Sequence, residues 1–224
     1  MNGPRRIRIK ICGMTRLEDA LCAVEAGVDA LGFIFYAKSP RSIEPSAAQR
    51  IIAQLPPLVD AVGVFVDHEL SQVEAIVKQC GLGYAQLHGA ESPEDCRLLA
   101  RMAAPCQMLK ALRVGPLSTA AEVASYQDSV QGFVLDTYHQ KAVGGTGATF
   151  DWSMIAHLKL AKPFLLAGGL TVGNIRAALE QVRPYGVDAN SGLETAPGLK
   201  DHGLIRRFVA AVREFEADRL TGQQ

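Results

Sequence analysis

Eight times between residues 7 and 217 a short apolar run gives way to a longer amphipathic one, and few architectures accept that rhythm. The runs at 7–12, 30–36, 59–66, 84–87, 107–112, 131–135, 163–167 and 186–189 have the length and composition of strands buried on both faces. Helices are predicted over 16–26, from Pro45, over 70–79, from Pro93, and over 119–126, 151–157, 171–182 and 201–216. Gly27 and Gly81 are helix stops, and Pro45 and Pro93 suit a first helical turn. Ser92 is an N-cap, and Thr15 with Glu18 has the form of a capping box. Strand–helix alternation with doubly buried strands implies a parallel sheet flanked by helices. Eight units suit a closed (β/α)8 TIM barrel, an open doubly wound sheet being the alternative. No linker or low-complexity tract divides the 224 residues, so residues 1–224 read as one barrel domain with its core at about 7–217.

Composition narrows what such a barrel can serve. Lys and Arg number 23, as do Asp and Glu, so no net charge draws the chain to nucleic acid or to an anionic membrane surface. No apolar run reaches the roughly 20 residues that span a bilayer. The first eight residues are basic without an apolar core, so no signal peptide is expected. The 5 cysteines are scattered without CxxC or paired His spacing, which indicates neither a disulfide framework nor a zinc site. A cytoplasmic enzyme with no metal and no organic cofactor is the expectation, either monomer or homodimer.

In a barrel of this kind the chemistry comes from the C-terminal ends of the strands. At the end of the first stands Lys10-Ile11-Cys12-Gly13-Met14-Thr15. Strand alternation puts Lys10 and Cys12 on one face, and a thiol beside a lysine ahead of a helix is favoured as thiolate, a candidate base or nucleophile. Its bland alternative is a small buried hydrophobe. Asp136 closes the run Phe133-Val134-Leu135 and is a candidate general acid, or else a cap or loop anchor. Arg41 carries a planar fork suited to a ligand carboxylate, though a solvated loop arginine is the commoner case. His88 is a further ligand contact or a satisfied structural histidine; Asp67 reads as a helix start. Gly168-Gly169 and Ser191-Gly192, with Asp188 beside them, follow the last two strands, where backbone N–H groups converge on phosphate. Gly144, Gly145 and Gly147 fall in a long connection that reads as a mobile cover.

Taken together these residues resemble the phosphoribosylanthranilate isomerase family of tryptophan biosynthesis. The likeness runs through Lys10–Thr15, Gly32-Phe33-Ile34-Phe35, Ser39-Pro40-Arg41, Val62–Val66, Gln86-Leu87-His88-Gly89, Leu135-Asp136, Gly144–Gly147, and Ala167–Leu170 with Asn174. One departure is Ala189-Asn190 after Asp188, where the family more often has valine and serine; Ser191, Gly192 and Glu194 are retained. The resemblance implies an Amadori rearrangement of N-(5-phosphoribosyl)anthranilate, a phosphorylated small molecule. It assigns Asp136 as the acid that opens the ring, Cys12 as the base at C2, Arg41 as the holder of the anthranilate carboxylate, and the late glycine loops as the phosphate grip. His88 and Asp188 are expected to bind the substrate. A histidine-pathway isomerase running the same rearrangement would carry an aspartate in place of Cys12. A plain phospho-ligand binder on this fold would keep the glycine loops with no need for both Cys12 and Asp136, and a thiol sensor would want a resolving cysteine nearby, whereas Cys22 lies on the following helix at a position that suggests burial.

Overall fold

A computed structural model describes residues 6–136 and 152–221. Parallel strands β1 (Arg8–Ile11), β2 (Ala30–Ile34), β3 (Asp60–Phe65), β4 (Tyr84–Leu87), β5 (Gln107–Arg113), β6 (Gly132–Asp136), β7 (Phe164–Ala167) and β8 (Gly186–Ala189) pair in chain order. β8 returns to β1 in the register Lys10 with Asp188, so the sheet is a closed barrel and the open doubly wound alternative falls away. Helices α1 (Leu17–Ala26), α2 (Pro45–Ile52), α3 (Leu70–Cys80), α4 (Pro93–Met102), α5 (Ala120–Ser125), α6 (Ile175–Val182) and α7 (His202–Thr221) lie outside it.

The strands have two apolar faces because the barrel has two interiors. Outward-pointing Ile9, Ile11, Leu31, Phe33, Phe65 and Leu166 pack against helix residues such as Ala20, Leu99 and Phe208. Inside, Ala111, Val134 and Ala167 form a smaller cluster with Leu109 and Leu165, all from β5, β6 and β7. The opposite part of the interior is ionic, with Lys10 and Asp188 buried together.

Several local expectations hold. Ser92 caps α4 in a capping box with Asp95, Pro93 stands in its first turn, and Gly27 and Gly81 end α1 and α3 with left-handed backbones. Others do not. Thr15 does not cap α1: its hydroxyl donates to the Gly198 carbonyl at 2.6 Å, and Arg16 takes the cap position without a side-chain bond. Asp67 starts no helix; it stands at φ 52° and accepts from the Ala90 amide, tying two loops together. The segment at 151–157 is a 3₁₀ helix, Trp152–Leu158. After β8 comes a hairpin that strand patterning does not reveal, β9 (Glu194–Ala196) against β10 (Leu199–Lys200).

Candidate active site

Cys12 follows β1 directly, its amide bonded to the Ala189 carbonyl at 2.8 Å, and its side chain points up the barrel interior at 6% exposure. Space for it exists because β2 has glycine opposite: a Cβ on Gly32 would stand 2.7 Å from Cys12 Sγ and 3.1 Å from Lys10 Nζ. Lys10, one pleat below, is held at 2.6 Å from Asp188 Oδ2 with both side chains buried, and it lies beside the thiol. Burial alone would push the Lys10 ammonium down, but the charge of Asp188 and the Cys12 sulfur more than offset that and hold it above its ordinary value. Burial dominates at Cys12 and pushes the thiol up; Asp188 adds to this, while Lys10 and Lys200 oppose it. The expectation that this setting favours a resting thiolate is therefore corrected: desolvation outweighs the neighbouring ammonium groups.

Arg41, in the loop between β2 and α2, is no solvated arginine. Its Nε and Nη2 form a fork on Glu194, the shortest contact being 2.7 Å to Oε2. Glu194 also accepts from Lys200 Nζ at 2.8 Å, and Lys200 reaches Asn190 Oδ1 at 2.9 Å. Burial pulls Glu194 up, yet the hydrogen bonds from Arg41 and Lys200 win and keep it below the usual carboxylate range. Burial pushes Lys200 down against the pull of Glu194. The hairpin thus carries a rigid carboxylate that fixes Arg41 at the rim.

On the far wall His88 follows β4 and Asp136 ends β6, with His88 Nε2 3.5 Å from Asp136 Oδ2. Both line a cavity of about 400 Å³ together with Cys12, Arg41 and Asp188, at the C-terminal ends of the strands. The Nε2 of His88 meets Asp136 at ion-pair distance but makes no closer hydrogen bond among the described residues. Asp188 Oδ1 and Gln86 Oε1 are buried and make no hydrogen bond among the described residues.

The glycine loops close the cavity on one side. Gly168 and Gly169 take φ of 90° and 67°, and Asn174 pins their turn by accepting from Thr171 N and donating to the Gly169 carbonyl. Ser191 and Gly192 lie in a 3₁₀ turn, Ser191–Leu193, so close to the β7 loop that a Cβ on Gly192 would stand 2.1 Å from the Leu170 carbonyl oxygen. Gly144, Gly145 and Gly147 lie outside the described residues.

The structure therefore brings Cys12, Arg41, His88, Asp136, Gly168, Gly169, Asp188, Ser191 and Gly192 around one cavity. Sequence reading missed Gln86 as a member in its own right, and the supporting pairs Lys10–Asp188 and Glu194–Lys200. A polar residue interrupting an apolar strand, as Gln86 does between Ala85 and Leu87, was the available signal. No group of three or more His, Cys, Asp or Glu among the described residues is arranged to hold a metal ion. No described helix is long and apolar enough to cross a membrane.

Comparison with known proteins bears on the whole chain. A family model described as N-(5'-phosphoribosyl)anthranilate (PRA) isomerase matches residues 9–211. The N-(5'-phosphoribosyl)anthranilate isomerase of Geobacter sp. (strain M21) is 50% identical over 209 residues, 93% of this chain and 98% of that protein. Among solved structures, phosphoribosyl anthranilate isomerase in complex with reduced 1-(o-carboxyphenylamino)-1-deoxyribulose 5-phosphate superposes with a TM-score of 0.78 at 39% identity, covering 93% of this chain and 99% of that one. Mutually generated monomers of the dimeric phosphoribosylanthranilate isomerase from Thermotoga maritima give a TM-score of 0.80 at 38% identity, covering 92% and 98%. With that likeness extending from end to end of a closed barrel, the chain belongs to the N-(5'-phosphoribosyl)anthranilate isomerase family.

Proposed function

We propose that Cys12 and Asp136 carry out the Amadori rearrangement of N-(5'-phosphoribosyl)anthranilate to 1-(2-carboxyphenylamino)-1-deoxyribulose 5-phosphate, with no chemistry beyond proton transfer asked of the protein. Asp136 gives its proton to the ring oxygen as the C1–O bond breaks, and the amine lone pair forms the C1=N bond. Cys12, as thiolate, removes the C2 proton, and the electron pair moves through C1 to nitrogen to give an enolamine. That species loses the proton of its 2-hydroxyl and gains one at C1, which leaves the ketone. Base and acid thus have opposite protonation demands, one from each side of the barrel mouth. The observation that carries this reading is the single cavity of about 400 Å³ onto which a thiol after β1 and a carboxyl ending β6 both open.

Arg41 takes the anthranilate carboxylate. Its Nε–Nη2 edge is fixed by Glu194, so the head is already oriented and little rotamer freedom is lost on binding. Gly168, Gly169, Ser191 and Gly192 take the phosphate, the left-handed backbones of Gly168 and Gly169 letting N–H groups approach an anion closely. His88 and Asp188 contact the sugar; Asp188 Oδ1, which makes no hydrogen bond to a described residue, is available for it, and His88 stands beside Asp136. Lys10 holds Asp188 and steadies the thiolate when it forms.

Mixing the purified protein with N-(5'-phosphoribosyl)anthranilate should abolish the substrate's anthranilate fluorescence. Cys12→Ser and Asp136→Asn should each lower kcat by about 10²–10⁴-fold while still binding the reduced product analogue. Turnover within a few-fold of wild type in Cys12→Ser removes the thiolate base from the mechanism.

Two copies of the chain pair through the barrel floor. Leu58, in the loop before β3, is fully exposed at φ 71°, a left-handed conformation unusual for leucine. It borders a floor cavity of about 460 Å³ whose lining includes Ile9, Val62 and Phe164. That a Thermotoga maritima relative is described as dimeric supports pairing of two copies; the choice of face rests on Leu58.

A further inference from the structure

Gln86 stands in the middle of β4, with its side chain on the barrel interior at 2% exposure. Its register partners are Val64 on β3 and Leu109 on β5, and the strands beyond contribute Ala111, Val134 and Ala167. A primary amide is thus placed on the apolar side of the interior, away from the Lys10–Asp188 pair. Its oxygen is buried without a hydrogen bond, and the amide nitrogen has no bond to a described residue either.

That makes Gln86 an exception. The charged side chains buried among the described residues, from Lys10 and Asp19 to Lys110 and Lys200, are each hydrogen-bonded. Glu91 accepts from the Gly89 and Asp67 amides, and Ser129 accepts from Arg97. A buried amide left unpaired lowers stability, and native interiors rarely keep one without a reason. Leucine at the same position would fill the space at no such cost.

The reason lies in where the amide faces. Gln86 lines the same cavity as Cys12, Asp136 and Asp188. β4 and β8 stand on opposite sides of an eight-stranded ring, so Gln86 and the unbonded Asp188 Oδ1 face a ligand from two sides. A carboxylate only accepts, whereas an amide both donates and accepts, and together they suit neighbouring hydroxyls on one sugar. We propose that Gln86 is a substrate-contacting residue whose amide hydrogen-bonds a hydroxyl of the ribose portion and so sets specificity for that sugar. This rests on the reading of the cavity as a phosphoribosylanthranilate site. A site whose polar group is left unpaired by the wrong ligand rejects that ligand more strongly than a merely apolar pocket can.

The test separates contact from scaffolding. Gln86→Leu, with Gln86→Met as the second variant should leucine disturb the barrel, is compared with wild type in three measurements. These are the melting temperature, the Kd of the reduced product analogue 1-(o-carboxyphenylamino)-1-deoxyribulose 5-phosphate, and competitive inhibition by inorganic phosphate. The expected result is a melting temperature unchanged or raised, a Kd increased by about 10–100-fold, and phosphate inhibition unaltered, because the phosphate loops are elsewhere. Analogue binding equal to wild type overturns the proposal. So does loss of analogue and phosphate binding together in both variants, which would make Gln86 part of the frame. Wild-type protein that binds no analogue at all overturns instead the reading of the cavity on which the proposal rests.

Discussion

At Cys12 two influences meet within the reach of one side chain: burial, which keeps the proton on sulfur, and the Lys10 ammonium, which draws it off. Burial is the larger, so the free protein holds a thiol whose pKa lies above the ordinary value of about 8.5. The sign of the pH dependence follows. If the thiolate is the base, kcat/KM climbs as pH rises, and iodoacetamide should label Cys12 with a midpoint on the alkaline side of a free cysteine. Lys10→Met removes a charge that favours the thiolate and leaves Asp188 unpaired beside it, and both changes move the midpoint further up. Breaking a buried pair in this way costs about 3–5 kcal/mol of stability, so the profile is to be recorded well below the variant's melting temperature. A Lys10→Met profile that superimposes on wild type would remove Lys10 from the account.

The two turns that follow β7 and β8 act as one element, because they touch. A Cβ on Gly192 would come within 2.1 Å of the Leu170 carbonyl oxygen, a clash with backbone that no rotamer relieves. Gly192→Ala should therefore force the turns apart, weaken competitive inhibition by inorganic phosphate and raise KM more than it lowers kcat. Gly173→Ala is the control, since a Cβ there meets only Thr171 Oγ1 at 3.8 Å. Equal phosphate inhibition in the two variants would mean the phosphate grip is elsewhere. These turns were legible beforehand because glycine pairs directly after buried strands are a local pattern, as are the apolar runs that became β1 to β8. The hairpin of β9 and β10 was not, because strands of 3 and 2 residues carry no periodicity to read. Nor was the fate of Thr15, whose partner Gly198 lies 183 positions away. Local chemistry made it a cap; a distant carbonyl took the hydroxyl.

Across the whole molecule the two ends of the barrel serve different ends. The mouth carries the candidate catalytic groups, while the floor carries Leu58 and its cavity. If two copies pair as proposed, Leu58→Asp should leave kcat unchanged and lower the mass seen in sedimentation to that of one chain, and a wild type already monomeric at micromolar concentration would refute pairing through this face. The barrel's seam, where β8 meets β1, has a consequence for how the protein comes into being. Lys10 and Asp188 are separated by 178 positions, yet they form a buried ion pair beneath Cys12. At ribosomal speeds of roughly 5–20 residues per second, Lys10 is made on the order of ten seconds or more before its counter-ion. Until then its ammonium has no partner and must stay in water, so the first strand cannot settle into a finished interior, and Cys12 is an ordinary thiol on an open edge. The strand that carries Asp188 completes the surroundings of Cys12, so the buried setting that holds its proton exists only once β8 has joined β1.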